Sequence, residues 1–139
     1  MNETDQNLMR AAEEARTHAY APYSHFCVGA ALLGASGKVY TGCNVENAAY
    51  APTNCAERTA FFKAVSEGER AFVAIAVTGG RRDARAGFCA PCGVCRQVMA
   101  EFCQGEFRIL LGNSETVQST TLASLLPLAF GAEVRDADV

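Results

Sequence analysis

Cys55-Ala56-Glu57-Arg58, answered further along by Pro91-Cys92-Gly93-Val94-Cys95, is the part of the sequence around which the rest is arranged. In a C-x-x-C pair the two thiols fall on one side of a helical turn, because residues three apart on a helix are surface neighbours. One metal ion can then bridge both. Cys55 adds a third soft ligand, and three protein ligands leave the fourth position of a tetrahedral zinc open, which marks a catalytic rather than a structural site. Glu57, two residues past the lone cysteine, gains a role from this: a carboxylate beside a metal-bound water can take its proton and pass it to a substrate. Two plainer readings compete. A C-x-x-C alone suits a redox dithiol or half of a structural zinc site, and a lone cysteine is more often a small buried hydrophobe. Cys43, Cys89, Cys103, His18 and His25 are available as a fourth ligand, but none forms a second close pair with Cys55, which favours the catalytic reading.

Both motifs open helices. Residues 55–67 carry Ala60, Phe61, Ala64 and Val65 on one side, with Asn54 as the expected N-cap, and residues 92–103 form a helix starting at Pro91. The cysteines and Glu57 then lie in first turns, where the helix end favours negative charge and depresses thiol pKa values. Three thiolates on a divalent ion leave a net negative charge, so nearby positive charge must draw electron density from the sulfurs. The helix termini and Arg58 can supply it, Arg58's alternative being a surface salt bridge, and Arg96 is a weaker candidate for the same work.

Outward from these motifs the chain alternates helix and strand. Leu8, Ala11, Ala12, Ala15 and Ala19 give residues 5–19 a helical period that Pro22 closes, and Tyr23-Ser24-His25-Phe26 is a loop. Cys27 to Leu33 reads as a strand, with a turn around Gly34 and Ser36-Gly37 and a hairpin return over Lys38 to Cys43. Gly29-Ala30-Ala31 would let a helix lie close on the sheet, although ordinary packing of small residues is the preferred reading. Asn44 and Glu46 point the same way if the strand continues. An amide and a carboxylate side by side can hold a sugar hydroxyl; they equally suit a solvated strand end. Phe72 to Thr78 is continuously apolar, the pattern of a strand covered on both faces. Gly79 to Arg85 reads as a polar loop with solvated arginines, Phe107 to Leu111 as a strand, Thr116 to Ser119 as a fifth, and Leu122 to Leu126 as a helical turn before Pro127.

The 139 residues suffice for one α/β domain, residues 1–139, with its own core. Half the residues are hydrophobic and 19% are charged, which excludes a disordered chain. A net charge of −3 argues against a nucleic-acid binder and for a small substrate. Glu3, Asp5, Glu13 and Glu14 interrupt any signal-like apolar run, and no stretch is long enough to span a membrane. The seven cysteines are therefore expected to be reduced thiols in the cytoplasm, free to hold metal.

Phe26-x-Val28-Gly29-Ala30-Ala31, Asn44-Val45-Glu46-Asn47-Ala48, Cys55-Ala56-Glu57-Arg58 and Pro91-Cys92-Gly93-Val94-Cys95-Arg96-Gln97, in that order, resemble the small homotetrameric cytidine deaminases of pyrimidine salvage. The resemblance runs from about Tyr20 to Phe130. It implies a three-layer α/β/α fold with a mixed five-stranded sheet, one Zn²⁺ per subunit, and hydrolysis of cytidine or deoxycytidine to uridine or deoxyuridine plus ammonia. By the same resemblance Cys55, Cys92 and Cys95 are the zinc ligands, Glu57 the proton shuttle, Asn44 and Glu46 the holders of the ribose hydroxyls, and Phe26 a residue that packs on the base. Ala56 belongs to the same substrate-binding set. Tyr50 is expected to reach a neighbour's active site, and Phe130 to pack across a subunit boundary; each would otherwise be an ordinary core or surface aromatic. Cys27 and Ala49 depart from residues common in the family. A deaminase of aminoacylnucleoside antibiotics such as blasticidin S shares the three-cysteine logic and is the rival within the same chemistry. A zinc-stabilised binding module on a retired deaminase fold is the rival outside it, and an intact Glu57 speaks against that.

Overall fold

The computed structural model describes residues 2–135. Its first helix, α1 (Glu3–Arg16), begins where the Asn2 side chain accepts the Asp5 N–H at 2.8 Å and ends where the Thr17 hydroxyl donates to the Glu14 carbonyl at 2.7 Å. That hydroxyl competes with the helix ladder, so the helix stops short of Ala19. The strands β1 (Phe26–Gly34) and β2 (Val39–Cys43) form a hairpin whose turn places Gly37 at φ 92°, a conformation open to glycine. After them come α2 (Ala56–Ser66), β3 (Phe72–Arg81), α3 (Gly93–Phe102), β4 (Arg108–Gly112), β5 (Val117–Thr121), and two short helices, α4 (Leu122–Leu125) and α5 (Ala132–Arg135). The sheet runs β2-β1-β3-β4-β5, with β3 and β4 parallel and every other neighbouring pair antiparallel.

Alternation along the strands divides the core in two. Ala30, Leu32, Ile75, Val77, Ile109 and Leu111 face α2 and α3 around Phe61 and Met99. Ala31, Ala74, Ala76 and Leu110 face Leu8, Met9 and Ala12 of α1 on the other side. This is the expected three-layer α/β/α arrangement on a mixed five-stranded sheet, and it explains why β3 reads as an unbroken apolar run. Phe61 centres the thicker layer, with the rings of Phe72, Phe107 and Phe102 at 5.0, 6.1 and 6.2 Å. No helix among the described residues is long and apolar enough to cross a membrane.

Two expectations are corrected here. Ordinary packing does not describe Gly29: a Cβ there would lie 2.0 Å from the Ala12 carbonyl oxygen and 2.5 Å from the Arg16 nitrogen, so the backbone of α1 rests directly on β1. Gly42 does the same for α2, where a Cβ would meet the Ala56 carbonyl oxygen at 2.5 Å. Nor do Gly79, Gly80 and Arg81 belong to a loop. They extend β3 by pairing with Val28, Cys27 and Phe26, and Gly79 also exchanges backbone hydrogen bonds with Gly87, which turns the chain back toward Cys89. The loop itself is tied down rather than simply solvated, for the Arg16 side chain donates to the carbonyls of Cys27, Gly80, Arg81 and Ala84.

Candidate metal centre and active site

Asn54 does not cap α2. Its backbone pairs in both directions with Val45 at 2.9 Å, which keeps it extended, and its side-chain amide donates to the Thr59 hydroxyl at 3.2 Å. Cys55 is the N-cap instead, with Ala56 the first helical residue, and its side chain makes no capping bond. The second motif repeats the arrangement: Cys92 is the N-cap of α3, Gly93 follows, and Pro91 lies buried before it. The thiol of each N-cap residue is thus free to turn outward.

The three sulfurs converge. Cys55 Sγ lies 3.8 Å from Cys92 Sγ, which lies 3.5 Å from Cys95 Sγ, and all three are within 4.8 Å of one another. Tetrahedral zinc with bonds of about 2.3 Å sets its sulfurs roughly 3.8 Å apart, so this triangle fits the ion. No other such cluster occurs among the described residues, and no fourth protein ligand joins this one. A tetrahedral ion held by these three sulfurs would have one position left for a non-protein ligand.

Electrostatics single out the same atoms. The Cys55 thiol is lowered to about 5, first by the hydrogen bond from Cys95 and then by Arg58, whose Nη2 donates to Cys55 Sγ at 3.2 Å. Cys95 is raised by the same bond, since it keeps the proton the pair shares. Burial works against the Arg58 charge, yet its hydrogen bonds to Cys55 and Cys95 raise its pKa overall. Its Nε is buried with no partner among the described residues. Glu57 is only 4% exposed in the first turn of α2, and burial pushes its carboxyl up to about 7, with the Cys55 charge adding to the shift. A carboxyl in that range both takes and gives a proton near neutrality.

Arg96 has a different task from the one expected of it. Its Nε donates to the Pro91 carbonyl at 2.7 Å and its Nη1 to the Leu125 carbonyl at 2.8 Å, so it ties the start of α3 to α4 and is committed away from the sulfurs.

A cavity of about 130 Å³ opens over these groups, lined by Val28, Asn44, Cys55, Ala56, Glu57, Cys89, Ala90 and Cys92. Its size suits a single heterocycle, well under the several hundred Å³ of a pocket for a larger ligand. Asn44 therefore belongs to the wall, but its amide is already engaged: Oδ1 accepts the Val28 N–H at 2.8 Å and Nδ2 donates to the Phe26 carbonyl at 2.8 Å. Glu46 accepts from Tyr23 and Ser24, and Phe26 stands partly exposed at the head of β1. Tyr50, 77% exposed at φ 60°, and Phe130, 64% exposed, are not among the lining residues. Phe130 borders a separate groove of about 300 Å³ with Leu122 and Leu128, which holds no comparable set of thiols and carboxylate. Cys89 and Ala90 went unrecognised in the sequence as parts of the wall, because what brings them there is the Gly79 to Gly87 pairing, a long-range contact with no local signature.

Known proteins share this framework. Residues 2–111 match the cytidine and deoxycytidylate deaminase zinc-binding region. The chain is a member of the cytidine deaminase family. It is 53% identical over 129 residues to the cytidine deaminase of Sporosarcina psychrophila, an alignment that spans 92% of each chain. The crystal structure of the Burkholderia pseudomallei cytidine deaminase superposes with a TM-score of 0.82 at 50% identity, covering 94% of this chain and 100% of that one. The Mycobacterium tuberculosis cytidine deaminase gives 0.76 at 38% identity, covering 94% and 99%. For this member of the cytidine deaminase family the zinc-binding region and the three-sulfur cluster together identify the metal as zinc.

Proposed function

We propose that this chain hydrolyses free cytidine and deoxycytidine to uridine and deoxyuridine plus ammonia, holding one zinc ion on Cys55, Cys92 and Cys95 and moving protons with Glu57. The observation that carries it is the buried Glu57 carboxyl sharing one small cavity with Cys55 and Cys92. Relatives at 53% identity named cytidine deaminase support the substrate. When bound, the zinc would supply Lewis acidity that makes water acidic enough to deprotonate near neutral pH. Glu57 takes a proton from the attacking water and delivers it to ring N3 as the oxygen adds to C4. It then takes the proton of the new C4 hydroxyl and passes it to the amino group; the C4–N bond breaks as the C4 carbonyl forms, and ammonia leaves. Arg58 offsets negative charge on the Cys55 sulfur. The first-turn N–H groups of α2 add fixed positive charge beside Ala56.

The cavity has room for the base, so the sugar extends outward past Asn44 toward Glu46, and Phe26 packs on the ring. Completion of the mouth falls to neighbours in a homotetramer, where Tyr50 and Phe130 supply exposed aromatics. The whole chain acts as one domain, in the cytoplasm, where its thiols remain reduced and the reaction returns free nucleosides to the uridine pool. The blasticidin S reading is not favoured, since the similar proteins are named for cytidine.

The test is loss of ultraviolet absorbance with cytidine, deoxycytidine, cytosine, CMP and blasticidin S in parallel. Turnover of the two nucleosides alone agrees with the proposal. Turnover of blasticidin S, or none on any of the five by zinc-loaded protein, refutes it.

A further inference from the structure

The loop leading into β1 is wrapped on a single carboxylate. Glu46 Oε1 accepts the N–H groups of Tyr23 at 2.9 Å and Ser24 at 3.1 Å, while Oε2 accepts the Ser24 hydroxyl. The same Ser24 oxygen accepts the Phe26 N–H at 3.0 Å. Between them His25 sits at φ 59°, a left-handed conformation uncommon outside glycine. It is held there from both sides: its N–H donates to the Ala21 carbonyl at 2.9 Å and its own carbonyl accepts the Arg82 N–H at 3.0 Å. One hydroxyl therefore joins the Glu46 carboxylate to the residue that begins β1.

We propose that Ser24 is a positioning residue for substrate, fixing Glu46 to meet the sugar hydroxyls and Phe26 to meet the base. The proposal rests on the sugar-binding reading of Glu46 and Asn44 given above. Three donors reach the Glu46 carboxylate, which has about four acceptor positions, so one remains for an incoming O–H. The Ser24 hydroxyl, ahead of the Ser24 and Tyr23 N–H groups, also holds the Glu46 pKa below the usual carboxylate range against the opposing effect of burial. Glu46 thus stays an acceptor that only a donor can satisfy. A nucleoside without ring hydroxyls forgoes that bond, and Ser24 sets how sharply that difference is felt.

Zinc-loaded wild type, Glu46→Ala, Ser24→Ala and Ser24→Thr are compared on cytidine and 2′,3′-dideoxycytidine, with zinc content and thermal midpoint measured for each. The expected result is a wild-type preference for cytidine that Glu46→Ala abolishes. Ser24→Ala, losing one charge-assisted hydrogen bond, is expected to narrow that preference by about tenfold, chiefly through KM for cytidine, and Ser24→Thr to restore it. If Ser24→Ala keeps the full preference, or slows both substrates equally, the positioning role falls while the reading of Glu46 stands. If Glu46→Ala itself keeps the preference, the sugar reading fails and the proposal with it.

Discussion

Cys55 and Cys92 occupy the same place in two different helices: each is an extended N-cap residue, at φ −79° and −68°, and their sulfurs lie 3.8 Å apart. Two helix N-termini therefore face one point, and the partial positive charge of both ends favours thiolates there. Only the third sulfur, Cys95, comes from inside a helix, where it is buried against α2. Replacing Cys55, Cys92 or Cys95 with serine should reduce bound zinc from one per chain to a small fraction and cut activity by more than about 100-fold, as loss of a direct ligand exceeds the 10–100-fold effect of an outer partner. Elemental analysis beside a turnover assay checks this, and a serine variant that keeps stoichiometric zinc removes that residue from the ligand set.

Glu57 separates chemistry from metal binding. Glutamine keeps the shape of the side chain and fits the same buried first-turn position, but it cannot carry a proton. Glu57→Gln is expected to retain zinc and fold while kcat drops by about 10²–10⁴, the range for losing a general acid-base group. Normal turnover by the variant would dismiss Glu57 as the shuttle.

Glycine positions in the sheet distinguish packing from catalysis. Gly29→Ala drives a methyl into the backbone of α1, and Gly42→Ala drives one into the first turns of α2 near Ala56 and Ala60. Both should lose about 1–3 kcal/mol or more in denaturant unfolding, the cost of overpacking. Only Gly42 touches the helix that carries Cys55 and Glu57, so Gly42→Ala should also lower zinc content and kcat in the fraction that folds. Equal effects on the site from both variants would contradict this division of labour.

How much of this was legible in the sequence follows from how local each cause is. Helix and strand periods gave the elements, and the order of Cys55, Glu57, Cys92 and Cys95 gave the metal site, because each signal is confined to a few neighbouring residues. Asn54 misled as a cap because pairing with Val45, a partner nine residues away that propensity does not weigh, holds its backbone one residue outside the helix while its amide turns to Thr59. Gly79 to Arg81 read as loop because glycine is rare in strands, yet the sheet there needs flat backbone for Gly87 and Cys89 to fold back upon. The bidentate pair of Arg108 with Asp5, at 3.1 and 2.6 Å, joins β4 to α1 across the length of the chain and has no local signature at all.

Arg58 is the residue whose role divides most clearly between two measurements. It donates to Cys55 at 3.2 Å through Nη2, and its buried Nε has no partner among the described residues, an arrangement that a surface salt bridge would not produce. If its work is to draw charge from the sulfurs, Arg58→Ala should weaken zinc retention by roughly 10–100-fold in competition with a chelator, the usual effect of deleting an outer-shell partner. Arg58→Lys should recover part of this, since a lysine supplies the charge but not the fixed fork of donors. A structural role alone predicts something else: a lowered thermal midpoint with unchanged zinc affinity per folded molecule. Chelator competition and thermal unfolding on the same samples separate the two, and unaltered retention in Arg58→Ala would remove Arg58 from the metal centre.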